Sequence, residues 1–406
     1  MSSPSPPVLP PISAPQIWWT NSIFFIAVHL AALFGIYYWP PHIVAPANLV
    51  LSVVLWQLGN LGITIGYHRL YSHRAFRASF GVRLILTAMG SSAFQGSVKW
   101  WCLRHRLHHR FTDDPIHDPY SATRGLFYSH MGWIFFKPTY ERLDLIERDD
   151  LLCDPVVKFQ HKYYVPLALI LGFLVPSTLG LLWGDPRGAF IWGGLVPRLA
   201  IWHCTFLVNS MAHWNGLQPY SDEDTSRGNL ILALLTCGEG NHNFHAFPHD
   251  FRSGPSLTDW DPSKWIIIAL HHFGLVTGLR RARKDDVIEA TDYMHEKSRH
   301  GAPYSHDIGL WEGQVWTSQQ LGEYTRAKPG RCIVLIDGYA VDVTKYLREH
   351  PGGAALLRKY SALKGDDPRA GALVDASWAF NGGLNNHSRA AKRRMVGFKV
   401  AQIVDK

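Results

Sequence analysis

Apolar residues in this chain are gathered into blocks. Four stretches, residues 17–39, 45–67, 163–183 and 188–208, contain no Lys, Asp or Glu, and Arg198 is their one internal charge. Each is close to the roughly 20 residues that cross a hydrocarbon core as a helix. Buried helices of a soluble core normally keep a polar face. These stretches lack one, so the pattern predicts four membrane-spanning helices. They form two hairpins, joined by Pro40-Pro41-His42-Ile43-Val44 and by Gly184-Asp185-Pro186-Arg187. Connections so short place the N-terminus, the region from His68 to His161 and everything after Asn209 on one side of the membrane. That middle region is rich in Arg and Lys, whereas the hairpins hold Arg187 alone. The shared side is therefore expected to be cytosolic.

Two shorter segments, 80–94 and 265–276, also carry apolar faces. They read either as interfacial helices on the headgroups or as lids over a site. The first sixteen residues, MSSPSPPVLPPISAPQ, form a Pro/Ser-rich tail expected to be disordered. The tail lacks the charged start of a cleavable signal, so the first span reads as a retained anchor.

From about Trp311 the pattern becomes that of a small soluble domain. Residues 333–336 read as a buried strand, Asp337-Gly338 as a turn and 339–343 as the returning strand. The predicted architecture is an all-α membrane domain of four spans with a cytosolic, histidine-rich helical cap, followed by a small α+β domain. Its boundaries are expected at 1–16 for the tail, 17–295 for the membrane domain, 296–310 for a polar linker and 311–402 for the second domain.

Composition changes this picture little. The net charge of +8 follows from the topology, and no basic groove interleaved with aromatic residues argues for nucleic acid. Cys102, Cys153, Cys204, Cys237 and Cys332 form no CxxC pair. An odd number facing cytosol or lipid suggests free thiols.

The chemistry lies in the histidines that follow the spans. They read His68-Arg69-Leu70-Tyr71-Ser72-His73, then His105-Arg106-Leu107-His108-His109, then His242-Asn243-Phe244-His245, with His213 in Asn209-Ser210-Met211-Ala212-His213. Imidazole suits iron, copper, zinc and nickel. A single tetrahedral ion uses about four protein ligands, so eight clustered histidines point to two ions. On a helix His105, His108 and His109 stand at i, i+3 and i+4 and share one face. His68 and His73 are five apart and fall out of helical register. That pair fits an unwound helix end, or two rings that serve different ions.

In the second domain His350-Pro351-Gly352-Gly353 follows the strand pair, and His387 stands in Asn385-Asn386-His387-Ser388. The glycines let the backbone approach a flat ligand. Two histidines on opposite faces of a haem fill both axial positions, leaving a group that can only carry electrons.

These residues resemble the acyl-CoA Δ9 (stearoyl-CoA) desaturases, in the fungal type with a fused C-terminal cytochrome b5 domain. HRLYSH, HRLHH, NSMAHWNGLQPY and GEGNHNFHAFPHDFRSG match the family segments in order, and His350-Pro-Gly-Gly with His387 matches the haem ligands. The resemblance covers nearly everything after the tail. It implies that His68, His73, His105, His108, His109, His213, His242 and His245 bind two irons, with Asn209 reaching one through a water. It implies haem b on His350 and His387. The activity implied is O2-dependent insertion of a cis double bond, at C9, into saturated fatty acyl-CoA. Electrons would come from an NADH-cytochrome b5 reductase through the fused domain, at the endoplasmic reticulum membrane, with both termini cytosolic.

One feature departs from the family. Its third segment ends in a histidine pair, whereas here His245-Ala246-Phe247-Pro248 is one residue and one histidine short. A codon lost at an exon boundary, substitution by His249, and altered or impaired chemistry each account for this. Two other activities stay open on the sequence: a lipid hydroxylase or desaturase of another lipid, and a b5-type electron carrier with a decayed iron site.

Overall fold

The computed structural model describes residues 15–301, 311–347, 349–350, 352–362, 373–384 and 387–404. Most of the tail and residues 302–310 of the expected linker lie outside the described residues. In chain order the membrane domain comprises α1 (Trp19–Tyr38), α2 (Pro46–Ser72), α3 (Phe80–Ser92), α4 (Val98–Arg110), α5 (Tyr164–Trp183) and α6 (Pro186–His213). Two helices follow, α7 (Pro262–His272) and α8 (Lys284–His300). By length and composition α1, α2, α5 and α6 can cross a membrane. Ile23, Leu33 and Phe34 of α1, Val50 and Val53 of α2 and Leu174 of α5 stay exposed, as residues facing lipid do. The two hairpins meet at one end. Asp185 accepts hydrogen bonds from the Ala45 amide at 3.0 Å and from Asn48 at 2.7 Å, and caps the start of α6 through Gly188.

Two spans run further than the hydropathy suggested. α2 continues to Ser72 and α6 to His213, so both helices carry ligand-type side chains directly at their ends. The last eleven residues of α2, Gly62–Ser72, are π-helical, and the His73 amide donates to the His68 carbonyl at 3.0 Å. A π-turn closes over five residues rather than four. It brings His68 and His73 to one face, with ring centroids 4.6 Å apart. The helix end has widened, not unwound. This widened segment is held by α3, where a Cβ on Gly62 would stand 2.4 Å from the Gly90 nitrogen. Only glycine allows that approach.

The α3 and α7 segments each bury one face. Phe80, Leu84 and Ile85 of α3 and Trp265 of α7 remain exposed. A short antiparallel pair, β1 (Arg77–Ala78) with β2 (Val276–Thr277), ties the two segments together.

The second domain is built on four strands, β3 (Gln314–Trp316), β4 (Ile333–Ile336), β5 (Tyr339–Asp342) and β6 (Lys399–Ile403), in the order β3-β6-β5-β4. The predicted hairpin is present, with Ile333 opposite Asp342 and Ile336 opposite Tyr339. Val334, Ile336 and Val341 form the core on one face, and Leu321 of α9 (Ser318–Arg326) packs on the other. All five cysteines are free.

Candidate metal centres and haem site

Five histidines converge where α2, α4 and the 242–246 turn meet. The ligand nitrogens of His68, His73, His105, His109 and His245 all lie within 4.8 Å of one another. Their Nε2 atoms face each other: 3.1 Å for His68–His245, 2.8 Å for His73–His105, 3.1 Å for His105–His109 and 2.9 Å for His109–His245. Metal–imidazole bonds of about 2.1 Å put neighbouring nitrogens of a six-coordinate ion about 3.0 Å apart and opposite ones about 4.2 Å apart. The observed spacing fits one ion held by five rings. Burial first, and then the other rings, hold His73, His105, His109 and His245 well below the usual imidazole range. The rings are therefore neutral and have lone pairs to give.

A second group stands beside the first. The His108 ring lies 5.8 Å from His213, and His213 lies 5.2 Å from His242, which stacks on His245 at 5.3 Å. His213 Nε2 and His242 Nδ1 are buried without hydrogen-bond partners. Buried orphan nitrogens are costly in an apolar setting, and a cation between these rings removes that cost. The residues fit a metal here as well.

The three rings of α4 share one face, as the i, i+3, i+4 spacing suggested, with centroids 4.6 Å, 5.5 Å and 6.1 Å apart, but they divide between the two groups. His105 and His109, a full turn apart, enter the first group. His108 is turned to the second by Asp118, whose Oδ1 is 2.8 Å from its Nδ1. Burial lowers the proton affinity of His108, but the Asp118 carboxylate outweighs it and the net shift is upward. His213 is held likewise, with Nδ1 2.9 Å from the Thr225 hydroxyl, which donates to Asp113.

Glu239 was not singled out from the sequence, although it stands in the quoted Gly238-Glu239-Gly240. Its Oε1 is 3.2 Å from His68 Nδ1 and 3.1 Å from an Arg69 nitrogen, and Arg69 also reaches Asp261 at 2.9 Å. Burial would raise the Glu239 carboxyl, yet His68 and Arg69 hold it well below the usual carboxylate range. Partners of this kind fix which imidazole nitrogen faces the metal. The flanking glycines permit the fold of the segment. Gly238 has φ +125°, and a Cβ on Gly240 would stand 2.3 Å from the Ala233 nitrogen.

His249 does not join the five-ring group. Its Nδ1 lies 2.9 Å from the His73 carbonyl and its Nε2 is buried without a partner. The single His245 serves the first group, so the second is the one left with three imidazoles.

A cavity of about 1400 Å³ opens beside the first group. His68, His105 and Asn209 line it, with Phe24, Phe94, Trp101 and Leu169 on its apolar wall and Arg124, Lys137 and Arg142 among its basic residues. Arg74, near the same face, is committed to Glu147 and Asp150.

In the second domain the His350 and His387 rings face each other with centroids 6.4 Å apart and planes 29° from parallel. Two metal–nitrogen bonds of about 2 Å with a ring radius of about 1.2 Å on each side reproduce that separation. His387 Nδ1 lies 2.8 Å from the Phe380 carbonyl and His350 Nδ1 lies 3.4 Å from that of Gly353. Both contacts leave Nε2 for a metal. Burial pushes His350 down to about 4 and lowers His387 as well, so both are neutral. The pair fits a haem.

Comparison with known proteins identifies the family of each part of the chain. Residues 39–249 match the family described as Fatty acid desaturase, and residues 317–403 match the Cytochrome b5-like Heme/Steroid binding domain. The chain is 35% identical to a probable acyl-CoA desaturase of Schizosaccharomyces pombe, over 95% of this chain and 77% of that protein. It is 36% identical to acyl-CoA desaturase 1 of Saccharomyces cerevisiae, over 87% of this chain and 68% of that protein. Human stearoyl-CoA desaturase 5 is 34% identical, over 68% of this chain and 84% of that protein.

Proposed function

Because the chain belongs to the fatty acid desaturase family and ends in a cytochrome b5-like domain, we propose that it is a multi-pass acyl-CoA Δ9 desaturase of the endoplasmic reticulum. The observation that carries this reading is the convergence of five Nε2 atoms on the edge of a long cavity. The family uses a di-iron centre and the cytochrome b5 domain a haem. His68, His73, His105, His109 and His245 would hold one iron. His108, His213 and His242 would hold the other, with Asn209 acting through a water. His350 and His387 would hold the haem.

Bound there, the iron pair supplies an oxidant able to take two hydrogens from neighbouring unactivated methylenes. O2, two external electrons and two protons complete the balance, giving the alkene and two waters. The chain's own part is binding and alignment. Phe24, Phe94, Trp101 and Leu169 favour an acyl chain by removing its apolar surface from water, at about 25 cal/mol per Å². Arg124, Lys137 and Arg142 suit the phosphates of the CoA group, which remain charged and stay at the aqueous end. His68 and His105 line both cavity and ion site, so the methylenes passing them are the ones exposed to oxidation. The fused domain keeps the electron donor at an effective concentration of about a millimolar or more. An NADH-dependent reductase would supply it on the cytosolic side, where the positive-inside rule also places both termini.

A second reading rests on the second group. With three imidazoles instead of four it has an additional open position, which favours oxygen insertion, and a hydroxylase would result. Expression in a desaturase-deficient yeast separates the readings. Growth without added oleate and a double bond at C9 by mass spectrometry support the desaturase; hydroxy-acyl products support the alternative.

A further inference from the structure

The two haem-ligand loops rest on the cap of the membrane domain. Gly353, three residues after His350, sits against Glu147, where a Cβ would meet the carboxylate at 2.3 Å. Glu147 accepts from Arg74 at 2.8 Å, and Arg74 follows His73 in the chain. On the other side, the Arg389 amide donates to Glu223 at 2.7 Å, and its guanidinium reaches Asp222 and the Tyr293 hydroxyl. Arg389 stands two residues after His387. Both axial-ligand loops are thus pinned on the face that carries the five-ring group.

Two side chains on that face have buried polar atoms that nothing among the described residues satisfies. His249 uses Nδ1 on the His73 carbonyl at 2.9 Å, so Nδ1 carries the proton and the buried, unpartnered Nε2 carries a lone pair. The His73 carbonyl that holds this ring belongs to the residue before Arg74, and Arg74 binds the Glu147 carboxylate that meets Gly353 of the His350 loop. The ring is thus bonded to a member of the five-ring group on the side where the His350 loop docks. Arg110 ends α4, next to His109. Its Nη1 donates to the Leu145 carbonyl at 2.9 Å, while Nε and Nη2 are buried without partners. Leu145 stands two residues before the Glu147 that meets Gly353, which sets the guanidinium beside the contact with the His350 loop.

We propose that His249 is the bridge by which electrons cross from the haem domain to the five-histidine site, and that Arg110 seats a haem carboxylate beside it. The proposal rests on the reading that these sites hold iron and haem. The route crosses one through-space gap from the His350 ring to the His249 ring and is bonded from there, through the Nδ1–H···O=C contact to His73 and the His73 side chain to its Nε2. Each crossing oxidises one ferrous haem to ferric and reduces one ferric iron to ferrous, and two crossings serve one product. His249 is neither oxidised nor protonated. Its hydrogen bond replaces a through-space gap with a bonded path. The Arg110 edge, Nε with Nη2, gives a carboxylate two charge-assisted donors, and a haem presents that anion.

The test uses the full chain loaded with iron and haem. The haem is photoreduced without oxygen, and its reoxidation by the ferric site is followed in its visible bands. His249→Leu should slow reoxidation at least tenfold. The haem spectrum, the iron content and the product per iron after direct chemical reduction of the iron site should stay unchanged. His249→Gln, whose amide can donate to His73, should recover part of the rate. Arg110→Gln should lower the haem midpoint potential, since a positive charge near the haem favours its reduced form. An unchanged rate in His249→Leu overturns the bridge. Loss of iron, or of directly reduced turnover, also overturns it by showing a ligand or purely structural role. An unchanged potential in Arg110→Gln removes the carboxylate seat. If the unsubstituted chain makes no product after direct reduction, the desaturase reading fails and the proposal with it.

Discussion

The Glu239 carboxylate lies 3.2 Å from Nδ1 of His68, across the ring from the Nε2 that faces His245. The contact joins an unremarked acidic residue to the first histidine of the first cluster. It puts a carboxylate on the Nδ1 side of His68, opposite the Nε2 that is turned to the other rings. Replacing such a partner typically costs 10–100-fold in metal affinity. Glu239→Gln should therefore weaken non-haem iron binding by about that factor, measured by competition with a chelator. An unaltered affinity would show that the carboxylate serves only Arg69.

The partition of the histidines can be tested by counting metal. His108→Ala removes a ring from the second group alone, so it should abolish turnover while leaving about one of the two irons and normal membrane insertion. Metal analysis of the purified protein checks this. Two irons retained with full activity would exclude His108 as a ligand.

The shortened third segment makes a directional prediction. Replacing Ala246 by a His-Glu pair restores the family length and adds an imidazole beside His245. The second group has three rings, so the added ring should raise iron occupancy and the yield of unsaturated product. Equal iron and equal yield in parent and repaired proteins would show that Asn209, water or another donor already completes the site.

Acid should destabilise the metal-free protein early. His73, His105, His109, His242 and His245 are held below the usual imidazole range by burial and then by neighbouring charge. Unfolding lets each regain a normal pKa of about 6.5. Below that pH the unfolded chain binds more protons than the folded one. Stability then falls by about 1.4 kcal/mol per pH unit for each excluded proton. Glu239 has a depressed carboxyl, so its stabilisation is complete above about pH 4.3 and fades only below that value. A thermal-shift series in detergent should show the midpoint declining from about pH 6.5 downward. A decline confined to the carboxylate range would contradict the neutral cluster.

His387→Ala should eliminate the low-spin haem spectrum and cut electron delivery, with residual activity only where free cytochrome b5 is supplied. A full haem spectrum in that variant would exclude His387 as an axial ligand.

The sequence alone determined the four spans, their pairing, the change of texture near Trp311 and the identity of the histidines. Each of those is a local property, a run of apolar residues about 20 long or a cluster within five positions. Its length and spacing carry the signal. What tertiary structure decided is which ring joins which. His68 and His73 share a group because α3 packs against Gly62 and the end of α2 widens into a π-turn. His108 joins a different group from His105 and His109, and Asp118, ten residues on, holds its Nδ1 so that Nε2 is the nitrogen left for that group. The role of Glu239, the cavity lined by Arg124 and Arg142, and the bond of His249 to the His73 carbonyl depend on contacts between residues about 20 to 180 apart in the chain. A periodicity reports what a residue does within its own helix. It cannot report which distant backbone will close over it.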